Sequence, residues 1–121
     1  MGTPKEHKTL DDLLQMVLKF REERDWKKFH NPKDSSIGLA LEAAEVMEHF
    51  LFKSEVEMQA HIGTHREDIA DELADVLYWV LLMAHDLEIN LPQSFEKKLE
   101  KSAKKYPIEK AKGSNAKYTE F

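Results

Sequence analysis

Hydrophobic residues recur along most of this chain at the three- and four-residue spacing of amphipathic helices. A first helix is predicted to begin near Thr9, where Asp12 completes a capping-box pattern, and to end at about Asp25. No segment alternates with the two-residue period of a half-buried strand. The pattern therefore predicts an all-α protein, and the apolar face of its first helix consists of Leu10, Leu13, Leu14, Val17 and Phe20.

A second helix is predicted after Pro32, which forces the residue before it out of helical geometry. Asp34 or Ser35 is expected to cap this helix, which is expected to end at about Lys53. Its apolar side chains occupy an arc of about 220° on a helical wheel. Such a wide arc indicates contact with partners on more than one side.

Two successive capping-box patterns lie in the middle of the chain. Ser54 with Glu57 predicts a short helical turn that ends near Gly63. Thr64 with Glu67 predicts the start of a long helix that spans residues 65–88. This helix is the third of the four main helices that the sequence predicts.

The fourth main helix is predicted between Pro92, in its first turn, and Pro107, which stops it. Residues 107–121 then form a Lys-rich arm without periodicity. It is either a mobile tail or an arm that orders against another surface, and Tyr118 and Phe121 give weight to the second. No repeat or linker divides the chain, so residues 1–121 are predicted to form one helical-bundle domain. Because its apolar faces exceed what one such chain can bury, we expect a homodimer or homotetramer.

Charge is unevenly distributed along the chain. The net charge is -5, yet residues 97–121 contain eight Lys and three Glu, so the rest is strongly acidic. This argues against binding to a nucleic-acid polymer and suits an anionic ligand that arrives with a divalent metal ion. The absence of cysteine excludes disulfides and thiolate metal sites. With no apolar run near the roughly 18 residues that span a bilayer and no signal peptide, we predict a cytoplasmic protein without membrane contact.

Two carboxylate pairs are placed among apolar residues. Glu42 and Glu45 share the gap in the apolar arc of the second helix, and Glu72 and Asp75 lie on one stripe of the long helix, one turn before Trp79. Surface ion pairs are the ordinary role of such acids. Two embedded pairs on neighbouring helices instead favour a divalent cation that compensates their repulsion, and oxygen ligands favour Mg²⁺ or Mn²⁺.

A di-iron carboxylate bundle is the alternative metal site for this pattern. That architecture requires Glu-x-x-His on two helices. Here the third residue after Glu42 is Glu45 and the third after Glu72 is Asp75, whereas His49 follows Glu45 by four. The imidazole is in the wrong place, so the di-iron hypothesis is the weaker one.

The two acidic pairs form one spaced motif, in which 26 residues separate Glu42-x-x-Glu45 from Glu72-x-x-Asp75. This motif resembles the signature of the MazG-like nucleoside triphosphate pyrophosphohydrolases, an all-α superfamily. Further agreement is found in "ERDWKKFHNP", "DELADVLYW", "NLP" and "KKYPIEKAKGSNAKYTE". The resemblance covers nearly the whole chain from about Leu10 and is closest to small members of the dCTP pyrophosphatase type. It implies Mg²⁺-dependent hydrolysis of a (deoxy)nucleoside triphosphate to the monophosphate and pyrophosphate, a reaction that cleans the nucleotide pool.

The resemblance also implies roles for individual residues. The four motif acids would bind metal, and one of them or Glu48 would orient or deprotonate the attacking water. Phe52 and Trp79 stand where dCTP pyrophosphatases have Trp and Tyr, and Ser102 stands where many relatives have Asn, so the base pocket is expected to differ. The residues mapped to nucleoside contacts are Trp26, His30, Phe52, Trp79 and Ser102; for the aromatic residues, burial in the core is the structural alternative.

Cations for the triphosphate are expected on the fourth helix. Lys98, Lys101 and Lys105 lie on one face there, although a solvated Lys face would look the same. Two alternatives to an enzyme remain open at this point. One is a module that senses nucleotide or metal without turnover, and the other is a structural helical adaptor.

Overall fold

The computed structural model describes residues 7–121, and every regular element in that range is helical. The all-α prediction is therefore confirmed. The N-terminal segment, for which the sequence predicts no signal peptide, lies mostly outside the described residues. Six α-helices are found in this range: α1 (Leu10–Glu23), α2 (Pro32–Glu48), α3 (Glu55–Thr64), α4 (Arg66–Asp86), α5 (Leu91–Lys105) and α6 (Ile108–Ala111).

The predicted cap of α1 is present. The Thr9 side chain accepts a hydrogen bond from the Asp12 amide at 3.1 Å, and the Asp12 carboxylate accepts one from the Thr9 amide at 2.9 Å. Both bonds satisfy donors that a helix N-terminus otherwise leaves free. The prolines expected at the ends of α5 also have those roles, since Pro92 lies in its first turn and Pro107 follows its end.

The start of α2 differs from the prediction. Asn31, not Asp34 or Ser35, is the N-cap, and its side chain accepts from the Asp34 amide at 2.9 Å. Pro32 is the first helical residue, a position where its missing amide hydrogen costs nothing. The helix also ends at Glu48, five residues before the predicted end, because turns occupy residues 49–52.

The boundary between α3 and α4 corrects a second prediction. The Ser54 and Glu57 capping box is present, but α3 is a ten-residue helix, longer than the short turn expected. Thr64 does not cap α4: its hydroxyl donates back to the carbonyl of Ala60 at 3.2 Å and so continues α3. His65 lies between the two helices, and α4 begins without a side-chain cap.

Of the described residues, 7–88 form one compact unit around α4. This helix packs against α2, α1 and α3. The fully buried Leu82 lies in its C-terminal half, between the buried Leu81 and Ala84. The unit therefore places the acidic half of α4 beside the acidic face of α2.

Residues 89–121 form a second compact unit. In it the C-terminal arm folds onto the end of α5, where the rings of Tyr118 and Phe121 pack edge-on against Tyr106 at 5.8 and 5.7 Å. The ammonium group of Lys105 lies 5.0 Å from the centre of the Tyr118 ring. The arm is thus ordered against its own unit. The single-domain prediction for residues 1–121 stays a prediction.

Apolar side chains on α2 and α4 remain uncovered in a single chain. Leu41 and Met47 of α2 are 61% and 54% exposed, and Leu73 of α4 is 54% exposed. Folding alone does not bury the wide apolar arcs that the sequence predicts. Among the described residues, no helix is both long and apolar enough to cross a membrane.

Candidate active site

The four motif acids lie on the helix pair α2 and α4. Glu42 and Glu45 are one turn apart on α2, and Glu72 and Asp75 are one turn apart on α4. Residues separated by three positions share a helix face, so each helix presents two carboxylates together. Glu42 and Glu72 are half-buried, whereas Glu45 and Asp75 are more exposed.

The pKa of Glu42 reflects the presence of the other three acids. Burial raises the pKa of the Glu42 carboxyl above its usual value, and a hydrogen bond with Glu45 raises it further. The negative charges of Glu45, Asp75 and Glu72 act in the same direction. The two helices therefore bring the predicted acids into one electrostatic cluster, and that cluster disfavours full ionisation in the absence of a cation.

One buried oxygen of this cluster, Oε2 of Glu42, has no hydrogen-bond partner. The buried Oε2 of Glu72 contacts Nε2 of His49. Unpartnered buried carboxylate oxygens are costly, and a hard divalent cation such as Mg²⁺ prefers oxygen ligands of this kind. Within residues 7–121 no three acidic or His side chains already converge on a cation position. The donor set fits Mg²⁺, and metal binding itself stays a prediction.

Two further polar residues lie near the end of α2. Glu48 is exposed and is not among the groups that affect the pKa of Glu42. Its predicted role in activating water therefore stays a prediction. His49 is half-buried, and its Nε2 atom contacts Oε2 of Glu72 across the helix pair. The spacing of His49 made the di-iron hypothesis the weaker one, and its contact with an acid of α4 was not predicted from the sequence.

A cavity of about 480 Å³ opens beside Asp75. This volume is in the range of roughly 300–1,000 Å³ that is typical of small-molecule sites. Asp75 is its acidic edge and thereby joins it to the carboxylate cluster. The remaining lining comes from α1, the following loop and α4 and is largely aromatic: Met16, Val17, Phe20, Trp26, His30, Tyr78 and Trp79.

His30 is a polar residue of the cavity wall and lies in the loop between α1 and α2. Its ring packs edge-on against Trp79, with 5.4 Å between the ring centres. Burial lowers its pKa, the Arg21 charge lowers it further, and Asp86 opposes both. The neutral ring has a buried Nδ1 atom without a hydrogen-bond partner. His30 can therefore exchange a hydrogen bond with a ligand that enters the cavity.

Comparison with protein families decides the class of this chain. The family model described as MazG-like matches residues 37–121, which include both acidic pairs. The chain belongs to the MazG-like family. The resemblance read from the acidic motifs is thereby confirmed, and so is the prediction of an enzyme of the nucleoside triphosphate pyrophosphohydrolase class.

Individual MazG-like relatives agree with this assignment. The chain is 34% identical over 115 residues to dCTP pyrophosphatase 1 of Mus musculus and 33% identical to that of Homo sapiens. Each match covers 93% of this chain and 68% of the relative. Among solved structures, a pyrophosphatase from Archaeoglobus fulgidus is 31% identical with a TM-score of 0.77, over 88% of this chain and 99% of the other.

The cavity contains three of the side chains that the MazG-like resemblance assigned to the nucleoside, namely Trp26, His30 and Trp79. Phe52 is not part of its wall. It is 96% exposed after α2 in a backbone conformation with φ of 62°, which is strained for an aromatic residue. The remaining substrate-binding predictions lie on α5 in the second unit and stay predictions: Lys98, Lys101, Ser102 and Lys105.

Trp79 owes its position in this MazG-like chain to a glycine. A Cβ atom added to Gly38 would lie 2.7 Å from Cε2 and Cζ2 of the Trp79 indole. Real Cβ contacts are longer than that, so the indole occupies space that only a glycine leaves. Gly38 on α2 thus allows the ring of α4 to line the cavity.

We predict that Gly38→Ala displaces Trp79 and reshapes the cavity. Because overpacking costs about 1–3 kcal/mol, the free energy of unfolding should fall by that amount. Urea denaturation and the tryptophan fluorescence spectrum would measure both effects. Gly63→Ala is the matched control, since nothing lies within 4 Å of an added Cβ there, and helical alanine should raise stability by roughly 0.5–1 kcal/mol. Equal behaviour of the two variants would contradict the packing argument.

Several residues of the site were not predicted from the sequence. Phe20 and Tyr78 meet edge-on in the cavity wall at 6.2 Å, and Arg21 pairs with Asp86 at 2.8 Å. Phe20 was assigned to an apolar face, Tyr78 lies within "DELADVLYW" but received no role, and Arg21 and Asp86 belong to no quoted motif. Their contacts join residues more than 50 positions apart, so helical spacing carries no signal for them.

Proposed function

We propose that this MazG-like chain is a Mg²⁺-dependent enzyme that hydrolyses (deoxy)nucleoside triphosphates to the monophosphate and pyrophosphate, with Mn²⁺ as a substitute metal. The observation that carries the proposal is the carboxylate cluster of α2 and α4 at the edge of an aromatic cavity. A triphosphate needs charge neutralisation, and its base needs a stacking surface. The cluster and the cavity provide for both needs.

Glu42, Glu45, Glu72 and Asp75 would hold the metal, which supplies charge neutralisation at the phosphates and activates water when bound. The unpartnered buried oxygen of Glu42 supports this assignment. One of these four acids or Glu48 is proposed to orient or deprotonate the attacking water. The acids thereby fix the geometry at the phosphates.

Trp26 and Trp79 would stack on the base, while the free Nδ1 of His30 exchanges a hydrogen bond with its polar edge. Phe52 is proposed as a further contact from outside the cavity wall. Cationic and polar groups of α5 would bind the phosphate tail and the nucleotide. These are Lys98, Lys101, Ser102 and Lys105.

The names of the relatives indicate a class of substrate for this chain. The mouse and human relatives are named dCTP pyrophosphatases, and we propose dCTP or another deoxynucleoside triphosphate as the substrate of this chain. We further propose that it acts in the cytoplasm, where it would remove unwanted nucleotides from the pool.

Direct assay tests the activity. The purified chain is incubated with Mg²⁺ and each dNTP and NTP in turn, and the products are separated by ion-exchange chromatography. Monophosphate and pyrophosphate in equal amounts are the expected products, with one deoxynucleotide preferred. Binding of nucleotide without any product would instead identify a sensing module, and a melting temperature that ignores both Mg²⁺ and nucleotide would identify a structural adaptor.

We also propose that the enzyme is a homodimer or homotetramer. The exposed apolar residues of α2 and α4, among them Leu41, Met47 and Leu73, favour a second copy as their cover. Light scattering at micromolar concentration should give twice or four times the chain mass of 14.1 kDa. A stable monomer at that concentration would refute the assembly.

A further inference from the structure

His49 forms one end of a row of imidazoles that begins at the carboxylate cluster. Its Nε2 contacts Oε2 of Glu72, and neither atom has a hydrogen-bond partner elsewhere in the described part of the chain. The His49 side chain is 12% exposed and that of Glu72 is 24% exposed. The contact is therefore largely shielded from water, where an interaction with a carboxylate is strong.

The second imidazole of the row belongs to α3. His61 Nε2 lies 2.7 Å from His49 Nδ1, and the two ring centres are 4.9 Å apart. Desolvation and the neighbouring His65 and Lys53 lower the pKa of His61, which favours its neutral ring. His61 thus approaches His49 from the side opposite to Glu72.

For neutral imidazoles, hydrogen-bond accounting along this row gives one consistent arrangement. A carboxylate only accepts, so His49 must carry its hydrogen on Nε2 to donate to Glu72. A neutral His49 ring then has a lone pair on Nδ1, and His61 must donate to it from Nε2. The His61 contact therefore fixes which nitrogen of His49 bears the hydrogen.

The third imidazole holds the second in place. His65 stacks on His61 with an interplanar angle of 13° and 4.1 Å between ring centres. Its Nδ1 lies 2.7 Å from the hydroxyl of Thr64. Since His65 separates α3 from α4, the row ties the position of α3 to an acid of α4.

We infer that His49 is a positioning residue for the Glu72 carboxylate and that His61 holds His49 in the tautomer that donates to it. The inference rests on the proposed metal site and deepens it. Groups that hydrogen-bond to metal ligands fix their orientation, and losing one typically costs about 10- to 100-fold in metal affinity or activity. Here the row would hold one Glu72 oxygen so that the other can face the metal.

The test is Mn²⁺ binding to the full chain without nucleotide, followed by electron paramagnetic resonance of the free ion. His49→Leu should weaken Mn²⁺ binding about 10- to 100-fold. His49→Gln, whose amide nitrogen can still donate to Glu72, should restore most of the affinity. His61→Leu should cause a smaller loss, and His85→Gln, which changes an exposed histidine of α4, should cause none. Turnover of the preferred nucleotide should show the same order in kcat with little change in KM.

Each other outcome contradicts a defined statement. Wild-type Mn²⁺ affinity in His49→Leu would overturn the positioning role. Equal losses in His49→Gln and His49→Leu would also overturn it, because the donated hydrogen bond would not matter. If His49→Leu lost Zn²⁺ and Ni²⁺ but kept Mn²⁺, His49 would be a ligand itself. If the unmodified chain bound no Mn²⁺, the metal site of the proposed function would fail, whatever the variants did.

Discussion

Glu72→Gln is expected to reduce pyrophosphate release by about 100-fold or more. The change removes the negative charge of one proposed metal ligand and keeps its shape. Substituting a residue that only hydrogen-bonds to a metal ligand typically lowers metal affinity or activity by about 10- to 100-fold. Substituting a ligand itself should lower activity by at least the upper end of that range. Steady-state assays at saturating Mg²⁺ would show the loss in kcat, because the metal is proposed to act on the reacting phosphates.

The control for this experiment is Glu67→Gln, which neutralises an exposed glutamate in the first turn of the same helix. It should retain activity within about twofold, since exposed substitutions away from a site have small effects. Mg²⁺ at a concentration 100 times its dissociation constant should raise the free energy of unfolding of the unmodified chain by about 2.7 kcal/mol. Glu72→Gln should lose most of that stabilisation, and a variant that kept both activity and Mg²⁺ stabilisation would show that Glu72 is not a ligand.

The helices were predictable from the sequence because caps and apolar periodicity are local. Thr9 and Ser54 cap α1 and α3 as their patterns require. The errors arose where one residue had two local options. Pro32 was interpreted as a break, although it also fits the first turn of a helix, and Thr64 donates backward into α3 when it could have capped α4.

The acidic cluster was predictable for the same reason. Glu42 with Glu45 and Glu72 with Asp75 repeat at helical spacing, and their pairing needs only that α2 and α4 be neighbours. The details around the cluster depend on packing between distant residues. The packing of Trp79 against Gly38 and the contact of His49 with Glu72 both depend on how α2 and α4 are rotated relative to each other. No local sequence pattern specifies that rotation.

Arg21 and Asp86 supply the clearest case of a distant contact with a large expected effect. Arg21 is 4% exposed, and its guanidinium donates two hydrogen bonds to the Asp86 carboxylate, at 2.8 and 2.9 Å. Arg21→Met should lower the free energy of unfolding by about 3 kcal/mol, the lower end for a broken buried pair, because Asp86 keeps some contact with water. Urea denaturation at one fixed protein concentration would measure it.

An exposed ion pair of the same unit provides the matched control. Lys28 and Asp25 are 3.0 Å apart, with side chains 61% and 80% exposed. Lys28→Met should change stability by about 0.5 kcal/mol or less, since surface pairs contribute little. Similar losses in Lys28→Met and Arg21→Met would mean that burial does not strengthen the pair with Asp86.

The pH dependence of this stability has a defined sign. The hydrogen bonds from Arg21 hold the pKa of Asp86 below its usual value, and burial opposes them only in part. The unfolded chain therefore binds the proton more readily, so the pair stabilises the fold above the usual pKa near 4 and loses its effect as pH falls through the lower folded value. The stability difference between the unmodified chain and Asp86→Asn should be largest near neutral pH and shrink below about pH 4. A difference that grew on acidification would show that Asp86 is already protonated in the folded chain.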